Sequence, residues 1–187
     1  MNKDLKSYKY ISESQLTITE LMLPSHSNFS GKIHGGYILN LMDQIAFACA
    51  SKHSGNYCVT ASVNKVDFLN PIEVGELVTL KASINYTGRT SMVVGLRVIS
   101  ENIRTGAIKH CNSSYFTMVA KNENGKSTPI PGIILDTKEA IRRFARSIVR
   151  HQEGKKRSSH FNEDTFKSDE YLHLFDGSNS KIELTDH

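Results

Sequence analysis

Apolar and polar residues alternate through SQLTITELM, residues 14–22. That two-residue period predicts a strand with one buried face. A loop follows, with Pro24 and a Ser/Asn/Gly-rich stretch up to Gly31. From Gly35 to about Ser54 the period changes. Ile38, Leu39, Leu41, Met42, Ile45, Ala46, Cys49 and Ala50 recur at helical spacing, and Phe47 and Ala48 widen the apolar face almost to the full circumference. The pattern predicts one long helix buried on most sides, stopped at Gly55. Four strands should follow, over 57–69, 77–87, 92–100 and 107–120, with GRTS (88–91), Arg104–Gly106 and NENG (122–125) as turns. Short turns between successive strands imply an antiparallel meander. A single helix this apolar needs a strongly curved sheet around it, so the fold class is α+β.

Beyond this unit, residues 137–152 predict a second helix, capped by Thr137 or Asp136. Its stripe is Ala140, Ile141, Phe144, Ala145, Ile148 and Val149, with arginines opposite. The formal net charge of +4 hides an asymmetry. Residues 137–157 carry eight Lys/Arg against two Glu, a net of +6, whereas 158–187 carry two Lys against seven Asp/Glu, a net of −5. The expected organisation is a main domain over 1–136, a basic helix over 137–157, and an acidic, loosely ordered tail over 158–187.

Composition narrows the class. A hydrophobic fraction of 39% and a charged fraction of 22% in 187 residues describe a globular chain. Cys49, Cys58 and Cys111 are odd in number and lack metal-ligand spacing, so neither a disulfide framework nor a metal site is expected. The first residues, MNKDLKSYKY, hold no apolar core for a secretory signal, and no apolar run reaches the roughly 20 residues of a membrane helix. A reducing cytoplasm is the expected location.

Three features hold candidate chemistry. Asp43 interrupts the apolar helix. Burying a carboxylate there is costly unless it is paired or shifts its pKa, so it is either a structural partner of an amide or lysine, or a base or nucleophile in a cleft. Gly35 and Gly36, beside His34, open the helix. Unpaired amides at a helix start can hold an anion or polarise a carbonyl. A pair of glycines serving only a tight turn is the plainer alternative. Arg89, Thr90 and Ser91 sit on a predicted hairpin turn, where an arginine fork with hydroxyl and amide donors suits a phosphate. Asp43 lies seven residues beyond Gly36, about 10 Å along the axis at 1.5 Å per residue. If both act on one substrate, the acid must come from a second subunit, as a two-fold dimer with antiparallel helices would allow.

Together these segments are specific. N-x-x-G-x-x-H-G-G-x-x-L-x-x-M-D, then V-T-A-S-V-N-x-V-D-F-L-x-P-I-x-x-G-E, then T-G-R-T-S-M resembles the hot-dog-fold acyl-CoA thioesterases, in the cytosolic acyl-CoA hydrolase branch, over about residues 14–135. The basic helix is also similar to that branch. The resemblance implies a long helix wrapped by an antiparallel sheet, hydrolysis of acyl-CoA to fatty acid and CoA, and no separate cofactor. It implies that Asn28 and Asp43 are catalytic and act across a dimer interface, and that the amides at His34, Gly35 and Gly36 polarise the thioester carbonyl. Arg89, Thr90 and Ser91 then lie near the CoA nucleotide. Assembly as a trimer of hot-dog dimers is implied too. This chain has one such repeat, where some members carry two.

Two other functions compete. A hot-dog hydratase or dehydratase would use His34 and Asp43 on one proton path. A non-catalytic acyl-CoA-binding regulator would need a DNA-binding module, and neither the dozen residues before the first strand nor the lone basic helix supplies one. Partners in nucleic acid or membrane are therefore not expected.

Overall fold

A computed structural model of the chain describes residues 8–160 together with Lys167 and Glu170. The chain divides into two compact units after Ile148. The first holds a short strand β1 (Tyr8–Tyr10), a single helical turn α1 (Ile11–Ser14), β2 (Leu16–Leu21), a 3-10 turn (Pro24–His26) and the long helix α2 (Gly35–Ser54). It continues with β3 (Tyr57–Val63), β4 (Asp67–Phe68), β5 (Glu76–Thr87), β6 (Ser91–Asn102), β7 (Ile108–Lys121) and β8 (Gly132–Ile134). A final helix, α3 (Lys138–His160), begins in the first unit and runs on in the second.

The sheet has the strand order β2-β5-β6-β7-β3, antiparallel throughout, with β4 also paired to β7. Register shifts fall between Ile84 and Tyr86, between Val98 and Ile99, and between Thr60 and Ser62. Each such bulge bends its strand and strengthens the local twist, which curls the sheet around α2. Ile38, Met42, Ile45, Ala46, Cys49 and Ala50 of α2 are buried against Val78, Leu80, Val94, Phe116 and Met118 of the sheet. This is the hot-dog arrangement expected from the sequence.

The C-terminal end of α2 is fixed by chemistry the sequence displays. Gly55 follows the last turn with φ of 69°, and its N–H donates to the Ser51 carbonyl at 2.8 Å. Only glycine enters that left-handed region without cost. Lys9 Nζ donates to the His53 carbonyl at 2.7 Å, placing a cation at the negative end of the helix. The three cysteines are free and buried, and burial pushes the Cys49 thiol up to about 12.

Four details depart from the sequence pattern. Residues 57–69 form two short strands, because the three residues between Val63 and Asp67 oppose only two on β7, between Phe116 and Ser113. The strand read from 14 begins at Leu16, after the turn of α1. The second helix runs to His160, with Thr137 Oγ1 accepting the Ala140 N–H at 3.0 Å as its cap. The largest departure concerns α2, which is not enclosed on all sides: Gly36, Asn40, Asp43, Gln44 and Phe47 are exposed along one face of this chain. Of the acidic tail, the residues beyond His160 other than Lys167 and Glu170 lie outside the described residues. Among the described residues, no helix is long and apolar enough to cross a membrane.

Two substitutions test this packing. An added Cβ on buried Gly95 would lie 2.1 Å from Asn85 Nδ2, so Gly95→Ala should lower stability by about 1–3 kcal/mol, read from a denaturant midpoint. His53 is buried, donating from Nε2 to the Pro131 carbonyl at 3.1 Å and accepting from Ser14 Oγ at 2.9 Å. Burial holds its pKa below the ordinary value of 6.5. The unfolded chain then binds the proton more readily, so stability is complete above about pH 6.5 and is lost as pH falls below it. Melting temperature should drop between pH 7 and pH 5, with a shallower slope in His53→Gln. Equal slopes would contradict the role given to His53.

Candidate active site

The loop before α2 is built around one side chain. Asn28 Oδ1 accepts the Ser30 N–H at 3.0 Å, the Ser30 hydroxyl at 2.8 Å and the Lys32 N–H at 3.1 Å. The backbone N–H of Asn28 donates to the Lys32 carbonyl at 2.7 Å. Three donors on one oxygen settle the amide's orientation. Its Nδ2 group has no acceptor among the described residues, so Asn28 offers N–H donors outward.

The helix start lies beside this loop. The His34 N–H donates to the His26 carbonyl at 2.9 Å, and the Tyr37 N–H closes back on the His34 carbonyl at 3.1 Å. The Gly35 and Gly36 amides are left without an acceptor among the described residues, as first-turn amides are unless capped. Neither glycine has positive φ. A Cβ on Gly36 would meet nothing within 4 Å, whereas one on Gly35 would lie 3.1 Å from the Phe68 ring. Gly36 thus borders open space, and Gly35 admits a neighbouring aromatic. The exposed His34 side chain makes no capping hydrogen bond.

A cluster absent from the sequence reading fastens the loop to the helix. The His26 ring stacks on Tyr37, with centroids 3.9 Å apart and planes 18° from parallel. The Tyr37 hydroxyl donates to Glu20 on β2. That hydrogen bond, then desolvation and the carboxylate charge, push the Tyr37 phenol up to about 12. A tyrosine in an otherwise ordinary helical run gave no sign of this contact.

Two turns further along α2, Asp43 Oδ1 accepts the Thr60 hydroxyl at 2.6 Å. Both residues are exposed in this chain, so the structure does not bury the acid as the apolar run suggested. Asp43 Oδ2 is left for other chemistry. Thr60 lies in the V-T-A-S segment on β3, beside a bulge. Its polarity within a strand was the only hint, and it was too weak to identify it.

GRTS forms the β5–β6 turn. The Gly88 N–H donates to the Ser91 carbonyl at 2.7 Å, while the Arg89 and Thr90 carbonyls accept from Ile130 and Ala120 at 3.1 and 3.0 Å. Thr87 pairs with Met92, Met92 with Met118, and Met118 with Thr60. The turn thus lies level with Thr60, three strands away, about 14 Å at 4.8 Å per strand. One chain therefore places Asn28 in the loop that leads into the Gly35–Gly36 helix start, and holds Asp43 on Thr60. It sets these two pairs apart along the helix.

The Thioesterase superfamily model matches residues 30–107. The protein VdlD of Helicobacter pylori is 45% identical over 139 residues, covering 74% of this chain and 79% of that protein. A solved apo-hexameric acyl-CoA thioesterase is 38% identical with a TM-score of 0.79, covering 81% of this chain and 97% of that one. The acyl-CoA hydrolase of Staphylococcus aureus, solved with butyryl coenzyme A, coenzyme A and coenzyme A disulfide, is 27% identical with a TM-score of 0.76, covering 90% and 99%. That hydrolase has also been solved with an asparagine, an aspartate or a threonine replaced by alanine. On fold, motifs and these similarities, the chain belongs to the hot-dog-fold acyl-CoA thioesterases of the thioesterase superfamily.

Proposed function

We propose that the protein hydrolyses acyl-CoA thioesters to carboxylic acid and CoA, at sites shared between two chains. The observation that carries this reading is the division of the chemistry. Donors for a carbonyl oxygen gather at one end of α2, and the acid with its hydroxyl partner lies about 10 Å along the same helix. Between them runs the exposed face of α2, next to β3 at the edge of the sheet. Phe47 and Tyr57 meet edge-on there at 5.5 Å, and Val63 is exposed nearby. An exposed edge strand with apolar side chains is a surface that a second copy covers. A two-fold partner with an antiparallel α2 brings its Asp43 to this chain's Gly36 and completes two equivalent sites. The hexameric assembly of a 38% identical thioesterase supports further association of such dimers into a trimer.

In this reading the Gly35 and Gly36 amides, with the Nδ2 donors of Asn28, receive the charge that builds on the thioester oxygen. Each such donor is worth roughly 100- to 1000-fold in rate. Asp43 acts through its free oxygen. As a base it takes a proton from water, whose oxygen bonds to the carbonyl carbon as the carbon–sulfur bond breaks and the thiolate leaves to be protonated. As a nucleophile it forms an anhydride that water then opens. Thr60 positions the carboxylate. The relatives' names, the coenzyme A complexes and the choice of asparagine, aspartate and threonine for replacement in the S. aureus hydrolase support these roles.

The CoA nucleotide is assigned to Arg89, Thr90 and Ser91. No step of this reading draws on a further cofactor. Some basic charge on α3 is already used, since Arg142 and Arg143 both bond Glu139 and pull its carboxyl down to about 2. A hydratase site is not favoured, because the similar solved proteins are acyl-CoA thioesterases and hydrolases.

CoA release from acyl-CoAs of graded chain length tests the reading directly. Asp43→Ala should cut kcat by roughly 100- to 10,000-fold, the range of a lost acid–base group. Thr60→Ala should cut it by about 10- to 100-fold, with Thr60→Ser retaining most of the rate. Wild-type turnover in Asp43→Ala would remove the assignment. A labelled carboxylate on Asp43 after a single turnover in 18O-water would identify the nucleophilic route.

A further inference from the structure

The loop that carries Asn28 stands on two legs, and they are anchored differently. Ser27 and Ile33 face each other as an antiparallel bridge. The Asn28 and His34 N–H groups close the rungs on the Lys32 and His26 carbonyls, at 2.7 and 2.9 Å. The returning leg is tied to the segment before β5. The Ile33 N–H donates to the Ile72 carbonyl at 2.9 Å, and Lys32 bridges Glu73 through both backbone and side chain. On the outgoing leg, from Leu23 to Asn28, the hydrogen bonds among the described residues stay within the loop. Its tie to the rest of the fold is the His26 ring, stacked on Tyr37 of α2, whose hydroxyl donates to Glu20 of β2. We infer that His26, Tyr37 and Glu20 are positioning residues for Asn28, setting its Nδ2 donors relative to the Gly35–Gly36 amides. The inference rests on the proposed hydrolase reading, which gives those donors one carbonyl oxygen to share.

Three observations carry it. First, each ring is next to the donors it would align. Tyr37 directly follows the Gly35–Gly36 pair, and His26 precedes Asn28 by two residues. With centroids 3.9 Å apart and planes 18° from parallel, the stack joins the two donor sets across a single contact. A shift of the His26 ring moves the leg that ends in Asn28, while Tyr37 moves only with the helix.

Second, both rings are fixed from behind. Glu20 is paired with Val78 in the β2–β5 ladder, so the Tyr37 hydroxyl is referred to the sheet. With its phenol pushed up to about 12, Tyr37 remains a donor at neutral pH. His26 Nδ1 accepts the Leu23 N–H at 3.3 Å, which fixes the ring within its own turn. Third, the trio contributes direction more than burial. His26 and Glu20 are half-buried and stand outside the hydrophobic core, and Tyr37 packs at its edge. Parallel ring planes and a hydrogen bond constrain orientation, which a simple apolar contact does not. Orientation is what a donor aimed at a developing oxyanion needs.

The test uses the full-length protein and reads CoA release beside hydrogen–deuterium exchange. His26→Ala should lower kcat by roughly 10- to 100-fold, the cost of misplacing a group by about 1 Å, while KM changes far less. Exchange should quicken over residues 26–34, with β5, β6 and β7 keeping their protection. His26→Phe keeps a ring on Tyr37 and should recover most of the rate. Tyr37→Phe keeps the stack and loses only the bond to Glu20, so kcat should fall about threefold to tenfold. In an Asn28→Ala chain, His26→Ala should add less than about a twofold loss, because the group it positions is gone. If His26→Ala fails to fold, by its circular dichroism, Tyr37→Phe alone and in the Asn28→Ala chain decides. Unchanged kcat in a folded variant overturns the inference and leaves the hydrolase reading standing. A full further loss on top of Asn28→Ala overturns it too, as does a loss in His26→Phe equal to that in His26→Ala. Wild-type protein that releases no CoA from any acyl-CoA would remove the hydrolase reading. Loosening of residues 26–34 alone in His26→Ala would then still uphold the role of the stack in holding the Asn28 loop, and unchanged exchange would overturn it.

Discussion

Everything in this protein depends on the length of helix between Gly36 and Asp43. Seven residues of α-helix span about 10 Å, and a helix packed on a sheet cannot shorten. The helix-start amides and the Asp43 carboxylate are therefore fixed apart within one chain. The same rigidity makes them serviceable. The amides at Gly35 and Gly36 point along the axis, and Asp43 is held by Thr60 at 2.6 Å. In the dimer proposed here, a second copy running the opposite way turns this separation into proximity and covers the open face of α2 and the edge strand β3.

The rest of the fold keeps that helix and its leading loop in register. The curled sheet grips Ile38, Met42, Ile45 and Cys49 from one side. Gly55 and Lys9 close the far end. At the near end, Asn28 spends its oxygen on Ser30 and Lys32, and its two N–H groups have no acceptor among the described residues. The stack of His26 on Tyr37, tied to Glu20, joins the loop to the first turn. These contacts are local and polar, and they couple the position of Asn28 to that of the helix amides.

How far the sequence disclosed this depends on the kind of interaction. The long strands β5, β6 and β7 and the helix α2 were legible because many residues repeat one period. β1 and β8, three residues each, carry no period. Their parallel pairing, Tyr8 with Gly132 through Tyr10 with Ile134, comes from distant parts of the chain. The helix face was misjudged for a related reason: an apolar residue such as Phe47 reads alike whether its own sheet or a second copy covers it. Asp43 stood out because one charge in an apolar run is conspicuous. Thr60, Tyr37 and Glu20 did not, since their partners lie 17 residues away in the chain, and a polar residue in a strand or a tyrosine in a helix is ordinary.

The claim that two chains share each site is open to a direct measurement. An Asn28→Ala chain and an Asp43→Ala chain, differently tagged, are co-expressed, and the mixed dimer is isolated through both tags. If the site is shared, the mixed dimer regains one intact site and one doubly deficient one, and CoA release returns to about half the wild-type rate per dimer. If each chain carries its own complete site, both sites remain deficient and the verified mixed dimer stays as inactive as its parents, which would contradict the account.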